Sequence, residues 1–119
     1  MTAFHVVSSN KSGEEIVAVT SDGSDHDLNL ISFERVYQTD LALLQFTSSS
    51  DYLVGKLKSS KEVSLDDQVL VSGFPLSGNG ENTISKGVVR ANASMKLSNG
   101  YQLIYDNYTA PGMSGGPIL

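Results

Sequence analysis

The chain has 119 residues, 39% of them hydrophobic, which suits one folded domain with a modest core. Its net charge is −5 and it holds no cysteine. An acidic balance argues against nucleic acid as the main partner, which would call for a clustered Lys/Arg face, and the missing thiols exclude a disulfide framework and a thiolate metal site.

No apolar run approaches a membrane span, and no secretory signal is visible at the start. Residues 16–20, Ile-Val-Ala-Val-Thr, are β-branched and lead into turn residues at 21–25, which predicts a strand and a tight turn. Residues 28–33 supply the expected return strand, with Asn29 and Ser32 breaking strict alternation. Residues 41–46, Leu-Ala-Leu-Leu-Gln-Phe, read as a buried strand before a Ser/Asp-rich loop. Residues 52–61 predict a loop with one short strand, and residues 69–74 a strand that Pro75 ends. The Gly/Asn stretch at 77–82 predicts a hairpin loop, since it lacks the Lys and following helix of a phosphate loop. Residues 83–93 predict a strand with Gly87 as a bulge. Ser98-Asn99-Gly100 carries the Asn-Gly hairpin signal, and residues 101–108 alternate as a strand. No stretch sustains a 3.6-residue period. Many short strands at regular spacing define an all-β barrel or sandwich.

The chemistry gathers in Pro111-Gly112-Met113-Ser114-Gly115-Gly116-Pro117. Glycines allow tight turns and close approach of another backbone, and they leave N–H groups to point at a developing oxyanion. A serine hydroxyl needs a base beside it, and the base needs an orienting group. Two histidines are available. His26 lies among Asp22, Asp25 and Asp27 in a polar turn and reads as an exposed loop residue. That acidic cluster lacks the spacing of a calcium loop, so no metal is expected there. His5 lies in an apolar stretch, where a lone histidine is usually a satisfied core residue. Asp40 leads directly into the buried run at 41–46. Burying a carboxylate is costly unless it is paired, so Asp40 is either a strand-end turn residue or a buried partner. In chain order the three read His5, Asp40, Ser114.

Here the residues resemble a known family. Thr2-Ala3-Phe4-His5-Val6-Val7 resembles the T-A-A-H-C/V-V segment of trypsin-like serine proteases. Asp40-Leu41-Ala42-Leu43-Leu44 looks like their D-I/L-A-L/V-L/V, and Gly112-Met113-Ser114-Gly115-Gly116-Pro117 like their G-D/N-S-G-G-P. The order His, Asp, Ser is also theirs. Met113 and its surroundings look most like the cysteine-free bacterial trypsin-like peptidases common in cyanobacteria, with HtrA/Deg-like proteases next.

The resemblance implies a chymotrypsin-like double β-barrel, with residues 1–60 in the first barrel and 61–119 in the second. It implies a serine endopeptidase that needs no cofactor or metal and acts on a peptide or protein. Ser114 would be the nucleophile, His5 the base and Asp40 its orienting acid. The N–H groups of Gly112 and Ser114 would form the oxyanion hole. Tyr108, six residues before Ser114, would stand at the base of the specificity pocket, with no negative charge to favour Lys or Arg. Met113 cannot form the ion pair that activates zymogens, and Phe4 is bulkier than the usual alanine. Four residues precede His5 and the chain closes soon after Pro117. The expectation is therefore a barrel pair incomplete at both termini, with open strand edges through which copies could associate. A bacterial, extracytoplasmic setting would follow if a signal peptide preceded residue 1.

Two alternative readings compete with this one. The nucleophile elbow G-x-S-x-G also fits residues 112–116, but it requires a following helix and the order Ser, acid, His. Pro117 comes next instead, and no histidine comes after Ser114. The other alternative is a protease-like module that binds peptides without cutting them. Asn10, Asn92 and Asn107 match the N-glycosylation pattern, which is common by chance.

Overall fold

The computed structural model describes residues 1–8, 16–34, 39–92 and 103–119. Eight strands are present among them: β1 (Thr2–Ala3), β2 (Val17–Val19), β3 (Asp25–Asp27), β4 (Asn29–Glu34), β5 (Leu41–Gln45), β6 (Gln68–Gly73), β7 (Thr83–Asn92) and β8 (Leu103–Tyr105). One short helix, α1 (Phe4–Ser8), comes directly after β1.

Strands from the first 45 residues pair among themselves, in a sheet of order β1-β5-β4 and a β2-β3 hairpin. The later strands form a second sheet of order β6-β7-β8. Every strand pairing among the described residues is antiparallel, and neither sheet closes on itself among them. The chain end also joins the second sheet. Leu70 and Leu119 exchange backbone bonds of 2.9 and 2.8 Å, and Ser72 N–H donates to Pro117 C=O at 3.2 Å.

The alternation along β6 explains where the core sits. Val69, Val71 and Gly73 face inward while Gln68, Leu70 and Ser72 face out, as a period of two requires. Val69, Val71, Val89 and Met113 form the buried set of the second sheet; Ala42 and Val7 are buried with the first.

Several expectations are corrected. The partner of β2 is β3, not the run at 28–33; that run is β4 and pairs with β5 in another sheet. Gly23, at φ +80°, lets the chain reverse in fewer residues than expected, with Gly23 N–H donating to Thr20 C=O at 2.8 Å. The broken alternation at Asn29 and Ser32 is a register shift between Leu30 and Ser32. Residues 52–59 hold no strand, and a single 3-10 turn, Ser60–Glu62, comes after them. Gly87 pairs regularly with Val69; the irregularity in β7 lies between Val89 and Ala91. Residues 106–108 leave the expected last strand and form a loop. The Asn-Gly turn at 99–100 and Asn10 lie outside the described residues.

His26 is on β3 and half-buried, not in a loop. Its ring stacks on Phe46 with centroids 4.6 Å apart and meets the edge of Tyr52. Its Nε2 lies 3.1 Å from Tyr52 Oη. Those partners are 20 or more residues away, so the polar local sequence misleads.

Candidate active site

The pairing of β1 with β5 builds one wall of the site. Ala3 stands opposite Leu41, which brings the next turn of chain, Phe4 and His5, against Asp40. Phe4 N–H donates to Asp40 C=O at 2.9 Å. His5 N–H donates to Asp40 Oδ1 at 2.7 Å, and His5 Nδ1 lies 2.5 Å from Asp40 Oδ2. Both carboxylate oxygens thus face one histidine. Asp40 sits at φ +44°, in the left-handed region that Asp tolerates better than most residues. Asp40 stands just before β5, as the strand-end reading has it, and is paired with His5, but it is not the buried partner expected.

Burial pushes the Asp40 carboxyl up, but the bonds from the His5 ring and the His5 amide outweigh it, so its pKa lies below the usual 3.8. An ionised carboxylate accepts but cannot donate, so the proton of the His5–Asp40 bond belongs to Nδ1. In a neutral imidazole so held, the lone pair is on Nε2. The Asp40 side chain is 28% exposed and that of His5 58%, so the pair lies at the lip of the cleft rather than in the core.

The loop that holds Ser114 builds the opposite wall. Met113 N–H turns inward to Ala110 C=O at 3.1 Å, and Gly116 N–H to Met113 C=O at 3.1 Å. The amides on either side of Met113, those of Gly112 and Ser114, donate to no acceptor among the described residues. Gly112 has φ +97°, and a Cβ there would lie 2.6 Å from Phe74 O and 2.7 Å from Leu76 N. Gly115, at φ +83°, approaches β1 so closely that a Cβ would lie 2.8 Å from Ala3 N. Ser114, next to Gly115, and His5, two residues after Ala3, both line the cleft between the two walls. Met113 is buried at 6% exposure and packs on Gly73. Its role here is an apolar anchor for the loop, which its position in the motif alone does not reveal.

His5, Asp40 and Ser114 line one cleft of about 750 Å³, together with Leu41, Leu57 and Ile118. A second cleft of about 430 Å³ also reaches Ser114, lined by Val71, Tyr105, Thr109, Ala110 and Met113. Tyr108 is 63% exposed and lines neither of these two clefts. Leu57 and Tyr105 carry no motif, and only the fold places them at the clefts that Ser114 lines. Asn107 and Asn92 use their side-chain amides to bridge backbone carbonyls, so neither is a presented glycan acceptor.

A model of the trypsin-like peptidase domain matches residues 1–119, the whole chain. The chain belongs to that family, and its all-β fold is the chymotrypsin-like one. A protein described as serine protease HtrA-like, from Staphylococcus haemolyticus strain JCSC1435, is 28% identical over 132 residues, covering 100% of this chain and 20% of that protein. The crystal structure of Deg5 superposes with a TM-score of 0.75 at 22% identity, covering 99% of this chain and 61% of that one. The HtrA-type protease AlgW, solved with a decapeptide, superposes with a TM-score of 0.83 at 25% identity, covering 99% of this chain and 35% of that one. The chain therefore spans less than two thirds of each of these relatives.

Proposed function

We propose that this chain is a serine endopeptidase domain acting through His5, Asp40 and Ser114. The observation that carries the reading is the double hydrogen bond of His5 to Asp40 on the wall of a cleft that Ser114 also lines. Ser114 Oγ attacks the scissile carbonyl carbon while its proton passes to His5 Nε2. Asp40 holds the ring and stabilises the imidazolium. The N–H groups of Gly112 and Ser114 receive the oxyanion, each worth about 2.7–4 kcal/mol of barrier by the magnitude seen for such donors. The C–N bond then breaks, the leaving amine takes the proton from Nε2, and an acyl group remains on Ser114. Water, deprotonated by the same nitrogen, releases it.

The substrate class is peptide or protein, supported by the family and by the decapeptide in the AlgW structure. Tyr108 as the base of the specificity pocket belongs to the same reading, although its exposed side chain lines neither of the two clefts at Ser114. The division at residue 60 and association of copies through strand edges belong to the same reading; the exposed Leu30, Ile31 and Phe33 on β4 support the latter.

A fluorophosphonate probe tests the reading. Mass spectrometry should find the adduct on Ser114, and Ser114→Ala should abolish it. A folded chain that stays unlabelled would favour the peptide-binding alternative.

A further inference from the structure

Asn107 is a buried carboxamide for which the reaction above has no use. It is 9% exposed. Its Nδ2 donates to Val69 C=O on β6 at 3.0 Å and to Ser85 C=O on β7 at 2.8 Å. Those two bonds fix the orientation of the amide, because the flipped group would set Oδ1 against two carbonyls. Oδ1 is then buried with no hydrogen-bond partner. It faces Gly87, where a Cβ would lie 2.7 Å from Asn107 Cγ. A buried acceptor without a partner is costly and calls for a reason.

Asn107 stands seven residues before Ser114, at the start of the loop that carries it. Three fastenings measure this loop against one strand and its continuation: Asn107 Nδ2 to Val69, Pro111 C=O to Leu76 N–H at 2.9 Å, and Pro117 C=O to Ser72 N–H at 3.2 Å. Asn107 supplies the one of these three made by a side chain. Asp106 closes the outer side: its Oδ1 accepts from Val88 N–H at 2.8 Å, and its Oδ2 accepts from Arg90 Nε at 2.8 Å.

We propose that Asn107 is a positioning residue, which clamps the start of the nucleophile loop to β6 and β7 together and so sets where the Gly112 and Ser114 amides lie. Gly87 is its required partner, since any side chain there would displace the carboxamide. The link to reaction rate rests on the serine-peptidase reading; the clamp itself does not.

The test joins two readouts on Asn107→Ala. Hydrogen exchange of the Met113 and Gly116 amides, the two that are hydrogen-bonded within this loop, should quicken at least tenfold while β6 and β7 amides keep their protection. Fluorophosphonate labelling of Ser114, per folded molecule, should slow at least tenfold, and kcat for a peptide substrate should fall with KM changed less than threefold. Unchanged loop exchange would overturn the proposal. So would equal loss of protection in loop and ladder, which is what a merely structural residue produces. If Asn107→Ala does not fold, exchange in the unaltered chain decides. The Asn107 Nδ2 protons and the loop amides should then open with the same free energy, whereas a loop that opens while the carboxamide stays protected contradicts the clamp. Should the loop respond as expected while the unaltered chain takes up no probe, the clamp stands and the peptidase reading fails. Should the unaltered chain and the variant label at equal rates, the clamp fails and the peptidase reading stands.

Discussion

Asp40 concentrates the argument at the scale of single residues. Its carboxylate accepts two bonds from His5, and its backbone carbonyl accepts one from Phe4. Asp40→Asn would keep the shape and lose the charge. The substituted amide can turn its NH2 toward Nδ1 and hold the wrong tautomer, so kcat should fall on the order of 10⁴-fold with KM little changed. Peptide kinetics on the variant check this. The pH dependence has a fixed sign. A carboxyl whose folded pKa lies below its unfolded value contributes stability above the unfolded value and loses it as the pH falls through the folded one. Asp40 is therefore expected to contribute fully above pH 3.8 and to lose that contribution below it. Urea melts of the native chain and Asp40→Asn between pH 2 and 6 should diverge as the pH rises. Parallel curves across that range would contradict the pairing.

At the scale of elements, glycine positions decide how the loop meets the sheets. Gly87 sits in a regular stretch of β7, yet the Asp106–Asn107 pair lies over it. Gly87→Ala should cost about 1–3 kcal/mol, the range for forcing extra volume into a packed site, read as a lower urea midpoint with unchanged m. Gly115→Ala meets both a left-handed φ and the backbone of Ala3. It should move Ser114 away from His5 and cut labelling more than it cuts stability, as paired melts and labelling rates would show. Much of this level was legible in the sequence. The runs at 16–20, 41–46 and 69–74 each hold a strand, because each pattern is local, but the middle one is not the buried strand expected: Ala42 is buried while Leu41 and Leu43 are exposed. The pairing of β2 was not legible, since a three-residue strand of Asp-His-Asp has no strand signature of its own. Asn107 was not legible either. Its two partners are 38 and 22 residues away, and its neighbours spell nothing but a sugar-attachment pattern.

The whole molecule is open for its length. Its radius of gyration is 15.4 Å, against about 13.5 Å for a compact domain of this size. Among the described residues the buried apolar set is small, with Val89 the largest side chain fully enclosed, while Leu53, Val54, Leu57 and Leu76 are nearly all exposed. Apolar surface left in water contributes nothing to folding and favours association. The chain should therefore associate as its concentration rises, and light scattering should show a mass that grows with concentration. A single monomeric mass at high concentration would contradict association through the strand edges. The order His5, Asp40, Ser114 was readable from three short motifs because it is a matter of sequence. The meeting of the two walls was not, because it depends on Gly115 packing against Thr2 and Ala3 across more than a hundred residues.

The central claim is that His5, Asp40 and Ser114 work as one unit. The most direct measurement is a double-substitution cycle read by the rate of Ser114 phosphonylation. His5→Ala alone should remove nearly all of the rate enhancement, on the order of a million-fold by the magnitude known for such units. Adding Asp40→Ala to it should then cost almost nothing more. Effects that instead multiply, each substitution costing the same with or without the other, would mean that the two residues act independently, and the triad reading would fall.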